Sequence, residues 1–462
     1  MTPEEFRRHA HQLVDWMADY LRDVGDRPVV PATRPGEIRA ALPASPPRTG
    51  EPFAALTADF ERLILPGMTH WGHPGFFGYF PTGSTPVSLL AEMLATTLGA
   101  QCMSWQTSPA ATELEQQVMD WLRQMLGLPG QFTGVIQDTA STATLVALIT
   151  ARDRAGAPLD RLTVYASAEA HSSVAKGARL AGFREDHIRR VPVDAEFALR
   201  PAALAELLAA DVARGLVPAA LVATVGTTAS TGLDPLAPMA DLAGQYGAWL
   251  HVDAAYAGSA AILPEIRPIL DGVERADSLL VNPHKWLAVH FDCSAYFVRD
   301  VPALLRSFSA APEYLRTAHD PEVVNFRDWG IQLGRRFRAL KLWFAIRSYG
   351  VEGLQAMLRE HIALAQEFAG WVRGAPGWEL LAPVPLGLVC FRHRPADLAD
   401  GPPADDHNRA LLARVNATGR VFLTHAVLGG RYSLRLALGH AGSTRAAVAE
   451  AWALLQESAA AG

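Results

Sequence analysis

The sequence predicts an α/β protein: a large, mostly parallel sheet domain with an N-terminal helical arm and a small C-terminal α/β domain. Three observations predict it. Through the middle of the chain, short apolar runs alternate with helical patterns, as in a parallel sheet covered by helices. Ahead of them, an amphipathic helix leads into a proline-rich stretch. Behind them, a long helical run precedes a second, shorter mixture of strands and helices.

Each element has its reason. Thr2, Pro3 and Glu5 read as a helix start, with Thr2 as cap, Pro3 at the first position and Glu5 completing a capping box. From Phe6 to Leu21, the residues Phe6, Leu13, Val14, Met17, Tyr20 and Leu21 recur at helical spacing. One helix cannot bury its own stripe, so this one calls for a partner surface such as a second subunit. Seven prolines from Pro28 to Pro52 suit an extended arm. Strands are expected at Leu162–Ala166, Ala219–Val225, Ala248–Asp253, Ser278–Asn282 and Ser294–Val298. A long helical run starts near Ile331 and passes Leu364, with a break around Gly350. The tail gives strands at Leu386–Arg392 and Tyr432–Leu438 and helices at Asn408–Val415 and Arg445–Gln456. A loop rich in Pro, Asp and Gly is expected at Pro395–Asp406. There is no internal repeat. The expected domains are an arm over 1–82, a large domain over 83–342 and a small one over 343–462.

Composition excludes several function classes. The chain has 462 residues, half of them apolar, and a net charge of −6 with no run of Lys or Arg. A nucleic-acid or anionic-membrane partner needs a basic face, so neither is expected. No apolar stretch of about 20 residues occurs, and the N-terminus lacks the apolar core of a signal peptide. Cys102, Cys293 and Cys390 lie far apart with no Cys-x-x-Cys pair, which fits a reducing compartment. The expectation is a soluble cytoplasmic protein with no metal site, in which the sequon Asn416-Ala417-Thr418 is chance.

Two strand ends carry the chemistry. One reads Trp249-Leu250-His251-Val252-Asp253, the other Leu280-Val281-Asn282-Pro283-His284-Lys285-Trp286. In each, a charged residue follows an apolar strand, where a parallel sheet exposes its ligand edge. A lysine and a carboxylate there meet the needs of pyridoxal phosphate. The lysine forms a Schiff base, and the carboxylate keeps the pyridine nitrogen protonated. Either residue alone reads as an ordinary strand-end lysine or a buried carboxylate satisfied by backbone donors. Together, beside a phosphate site, they point to the cofactor.

The phosphate site is the run from Gly134 to Thr144: a short strand, a polar turn, then a helix from Leu145. Helix-start amides suit a phosphate, with Thr139 and Ser141 able to add hydroxyls. The same pattern alone is a plain Ser/Thr cap. No Walker lysine or Gly-x-Gly-x-x-Gly is present, which argues against nucleotide sites. His171, ahead of another helix, either stacks on the pyridine ring or merely sits near a cap. The residues leave both open.

The chain resembles the aromatic-L-amino-acid decarboxylases of the group II pyridoxal-phosphate family from end to end. The resemblance rests on Thr69-His70-Trp71, Tyr79-Phe80-Pro81-Thr82, Ser108-Pro109-Ala110, Thr112 to Glu115, His251 to Ser259, Asn282 to Leu287, Phe291 to Ser294 and Leu333 to Arg338. It implies a fold-type-I, pyridoxal-phosphate-dependent transferase-like homodimer with active sites at the subunit interface. Lys285 matches the Schiff-base lysine, Asp253 the partner of the pyridine nitrogen, and His171 the stacked histidine. Ala140, Ser141, Thr228 and Asn282 match cofactor contacts, with Thr139 and His284 close to the phosphate. Thr82 lines the substrate site, and Trp71, Tyr79 and Phe80 belong to the same implied pocket. Tyr314, which by itself reads as an exposed loop aromatic, matches the catalytic tyrosine of a mobile loop.

The chain departs from the best-known animal members at four places. Asp138 stands for Gly and Thr139 for Ser, which leaves the cofactor role intact. Gln101 and Met103 replace Ile and Phe in a segment that reaches the neighbouring subunit's site in the family. With Gly334, which resembles a ring-pocket position, they bear on substrate preference. Arg306–Asp328 has no clear period and is expected to be a lid that excludes water. The implied activity is decarboxylation of tryptophan, tyrosine, L-DOPA, 5-hydroxytryptophan or phenylalanine. The alternatives are an aromatic aldehyde synthase, in which Phe replaces the tyrosine, another group II specificity such as glutamate, histidine or cysteine sulfinate, or a non-catalytic relative, which predicts the loss of Lys285 or Asp253, both present here.

Overall fold

The computed structural model describes residues 1–309 and 312–461. Seven strands form the main sheet: β1 (Thr133–Gln137), β2 (Leu162–Ser167), β3 (Ile188–Val191), β4 (Val217–Thr224), β5 (Trp249–Asp253), β6 (Ser278–Val281) and β7 (Ser294–Val298). Their order is β1-β7-β6-β5-β4-β2-β3. The pairs from β6 through to β3 are parallel, and β7 runs antiparallel between β6 and β1.

The strand sequences show why helices cover both faces. Leu221 and Ala223 of β4 enter one apolar cluster, while Ala220 and Val222 enter another. Leu250, Val252, Leu279 and Val281 join the first cluster, and Trp249 and Leu280 the second. Alternation between two apolar faces produces the unbroken apolar runs seen in the sequence. Each fully buried leucine contributes ~1.5–3 kcal/mol of transfer free energy.

A second, antiparallel sheet contains β8 (Trp378–Leu380), β9 (Leu388–His393), β10 (Thr424–Leu428) and β11 (Arg431–Ala437), in the order β10-β11-β9-β8. Phe368, Phe391, Leu411, Leu434 and Val448 form its core with the helices Pro402–Ala417 and Arg445–Ala460. Gly429 and Gly430 both take positive φ between β10 and β11, the backbone that a two-residue hairpin turn requires.

Every expected strand lies within two residues of its expected bounds. The helix Pro3–Asp23 has its capping box and buries none of its side chains. The long helix spans Arg338–Gly374 and breaks at Gly350, whose φ is 63°. It starts seven residues later than expected, because Arg335 bonds Gln101 and Cys102 through its backbone N–H and C=O. The loop expected at Pro395–Asp406 ends early, since Pro402 takes the first helical position. The stretch Arg306–Asp328, expected to lack a clear period, contains regular pieces. Arg306–Phe308 closes a helix from Val301 that Asp300 caps, and Glu313–Leu315 and Phe326–Asp328 are short helical turns. Ala310 and Ala311 of that stretch lie outside the described residues.

Candidate active site

The carboxyl ends of β1, β2, β4, β5 and β6 share one edge of the sheet, and the chemistry collects there. At the end of β6, Asn282 and Pro283 turn the chain into one helical turn that carries His284 and Lys285. The Lys285 ammonium stands 5.3 Å above the Phe80 ring. Burial lowers the pKa of Lys285 below 10.5, and Asp253 opposes the shift. A larger share of the amine is therefore neutral at pH 7 and able to attack a carbonyl.

Asp253 ends β5 and is 4% exposed. Among the described residues its carboxylate accepts one hydrogen bond, from the Ala255 N–H at 3.1 Å. A buried carboxylate normally gathers several donors. This shortfall suits a pyridinium N–H, so the residues present fit the cofactor. On the phosphate side, Thr139 caps the helix Ala140–Ala155 and leaves the first-turn amides of Ala140 and Ser141 unpaired within the helix. Asn282 accepts from Ser294 through its carbonyl, at 2.7 Å, which leaves its NH2 as the free group. His284 accepts the Cys293 N–H on Nδ1 at 2.9 Å. Burial, with Lys285 adding to it, pushes its pKa down to about 3, so the ring is neutral.

His171 is in fact a cap: its Nδ1 accepts from the N–H of Ser173 and contacts the Ser173 hydroxyl at 2.8 Å. That fixes the Nε2–H tautomer and leaves the ring faces free, so capping and stacking are compatible. Removal from water lowers its pKa, Asp253 raises it and Lys285 lowers it further.

Phe80, Tyr256 and Trp286 form an aromatic wall. Phe80 stacks on Tyr256 at 3.8 Å, and Tyr256 on Trp286 at 4.5 Å. Trp286 in turn donates to Nδ1 of buried His361 at 2.9 Å. Trp71 stacks on Tyr79 at 5.6 Å, and half-buried Thr82 precedes Gly83, whose N–H bonds the His284 carbonyl.

Sequence reasoning missed Arg435. It lies in β11, 3% exposed, with its guanidinium 5.6 Å from the same Phe80 ring. It donates to Thr424 Oγ1 and to the carbonyls of Thr228 and Tyr79, and none of the described carboxylates pairs with it. An arginine interrupting the inward apolar run Leu434–Leu438 was the available signal.

The remaining residues stand apart from Lys285. Gln101 accepts the Arg335 N–H at 2.7 Å, and a Cβ on Gly334 would lie 3.3 Å from its Nε2. The Met103 carbonyl accepts from Arg327 N–H. Tyr314 is 79% exposed on its loop. Neither group shares a hydrogen bond or ring contact with Lys285 among the described residues. No three described His, Cys, Asp or Glu residues are grouped to hold a metal, and no described helix is long and apolar enough to cross a membrane.

Residues 35–394 match the model of the pyridoxal-dependent decarboxylase conserved domain. The chain belongs to that family. This decarboxylase is 45% identical to a tryptophan decarboxylase from Camptotheca acuminata, over 99% of this chain and 95% of that one. Its fold matches the crystal structure of an Oryza sativa enzyme with pyridoxal phosphate and tryptamine. The TM-score is 0.97 at 42% identity, over 100% and 99% of the two chains. It also matches the 4-hydroxyphenylacetaldehyde synthase of Rhodiola rosea, with TM-score 0.94 at 34% identity and the same coverage. The decarboxylase therefore has the fold-type-I architecture and uses pyridoxal phosphate.

Proposed function

We propose that this decarboxylase converts an aromatic L-amino acid to its amine and CO2, as a cytoplasmic homodimer whose chains share each site. The observation that carries the reading is the placement of Lys285 and under-bonded Asp253 at one sheet edge, against the wall of Phe80, Tyr256 and Trp286. Bound pyridoxal phosphate supplies a protonated ring that accepts the electron pair left when the α-carboxylate departs.

The chain's own groups do the rest. Lys285 holds the cofactor and releases it to the substrate amine. Asp253 keeps a proton on the pyridine nitrogen. Ala140, Ser141 and Asn282 hold the phosphate, with Thr139 and His284 beside it and Thr228 tied into place by Arg435. The uncompensated Arg435 charge attracts the carboxylate of the zwitterionic substrate. The aromatic wall removes the substrate carboxylate from water, which raises its ground state and favours release as neutral CO2. Tyr314 delivers a proton to the substrate α-carbon when its loop closes over the site.

Two surfaces support the homodimer. The helix Pro3–Asp23 leaves Phe6, Val14 and Leu21 exposed, and the helix Pro86–Leu98 leaves Leu90, Leu94 and Leu98 exposed. Contiguous apolar faces of this kind mark interfaces. The three cysteines are free and buried, in keeping with a reducing compartment.

The second reading is oxidative conversion of the same substrates to aldehydes, raised by the match to the Rhodiola synthase. The phenol of Tyr314 favours the decarboxylase. Turnover of an amino-acid panel, with CO2, amine and hydrogen peroxide measured together, tests both. Stoichiometric amine and CO2 support decarboxylation, peroxide with aldehyde supports the synthase, and no turnover of any aromatic substrate removes both.

A further inference from the structure

The phosphate cradle contains a carboxylate. Asp138 lies in the turn between β1 and the helix Ala140–Ala155. Its Oδ1 accepts the Thr139 N–H at 2.6 Å, and its Oδ2 accepts from Gln332 Nε2 at 3.0 Å. These bonds aim the charge at the start of the helix whose first amides serve the phosphate. No lysine or arginine occurs from Gln137 to Thr144 to offset it. We propose that Asp138 weakens the hold on the cofactor's phosphate, so that this enzyme's cofactor loading tracks the free cofactor concentration.

The inference rests on the assignment of Ala140 and Ser141 to the phosphate. A carboxylate beside the amides that hold an anion repels that anion, partly screened by water and salt. Asp138→Asn isolates the charge. An asparagine oxygen still accepts the Thr139 N–H, and the Gln332 amide can turn to offer its oxygen to the new NH2. The cradle geometry is thereby kept.

The experiment is equilibrium dialysis of pyridoxal phosphate against cofactor-stripped wild type, Asp138→Asn and Ser141→Ala, with phosphate-free pyridoxal as control. Asp138→Asn is expected to bind pyridoxal phosphate roughly three- to tenfold tighter, with the gap closing in ~0.5 M salt. Pyridoxal affinity is expected to be unchanged, and Ser141→Ala to bind pyridoxal phosphate more weakly. Equal or weaker binding by Asp138→Asn, while Ser141→Ala is impaired, overturns the role of Asp138 and leaves the cradle standing. An equal gain for pyridoxal also overturns it. Equal affinity of wild type for pyridoxal phosphate and for pyridoxal removes the cradle assignment and this inference with it.

Discussion

His361 makes the aromatic wall sensitive to acid. It is 2% exposed, and its Nδ1 accepts the indole N–H of Trp286 at 2.9 Å. Burial pushes its pKa down from 6.5 to about 4, with His440 adding to the shift. The folded state therefore holds this ring neutral, while the unfolded chain protonates it below pH 6.5. The stability it contributes is complete above pH 6.5 and is lost as pH falls toward 4. Between pH 7 and pH 5 that loss is ~2 kcal/mol, from a 2.5-unit difference evaluated at pH 5. Once protonated, Nδ1 becomes a donor facing the Trp286 N–H, and the stack behind Lys285 loses its anchor. The assay is urea unfolding of wild type and His361→Gln at both pH values. Gln offers an acceptor that does not titrate, so the variant is less stable at pH 7 but loses ~2 kcal/mol less on acidification. Equal pH dependence in the two proteins would refute the argument, because no proton uptake could then be assigned to His361.

Four further outcomes are expected. Lys285→Ala should lose the borohydride-reducible link to the cofactor and nearly all turnover; a retained link, read by mass spectrometry, would point to another lysine. Asp253→Ala should bind cofactor more weakly and turn over at least ~100-fold more slowly, since an unprotonated pyridine is a poor electron acceptor; wild-type kcat would remove it from the chemistry. Tyr314→Phe should still release CO2 but make less amine, with aldehyde, ammonia and peroxide appearing in air; unchanged amine without peroxide would exclude it as proton donor. Gln101 holds Arg335 N–H through its carbonyl, so its NH2 is the free group, and a ring hydroxyl is its natural partner. Wild type should accept a hydroxylated aromatic at least as well as phenylalanine, and Gln101→Leu should narrow that gap; kcat/KM far higher for phenylalanine in wild type would sink this account.

Much of the main sheet was legible because β2, β4, β5, β6 and β7 are buried on both faces and so read as unbroken apolar runs. β3 and β10 were not, since Ile188-Arg189-Arg190-Val191 and Thr424-His425-Ala426-Val427-Leu428 mix charged or polar residues with apolar ones at sheet edges. Lys285 and Asp253 were legible for a related reason: Asp253 is a charge that ends an apolar strand, and Lys285 one that follows such a strand after a short turn. Arg435 escaped notice because its task is set by partners far away in sequence, the carbonyls of Tyr79 and Thr228. The pinned stretch before Arg338 escaped too, for only a fold reveals that Gln332 meets Asp138 and Arg335 meets Glu115.

The placement of β7 has a consequence for synthesis on the ribosome. β1 leaves the ribosome early, yet its sole ladder partner in the described sheet is β7, which ends at Val298. From Gln137 to Val298 is 298 − 137 = 161 residues, or roughly 8–30 s of translation at typical rates. Through that interval β1 has no strand to pair with, and its backbone N–H and C=O groups stay unpaired in the ladder. The main sheet is complete only when the strand that fills the gap between β6 and β1 has emerged.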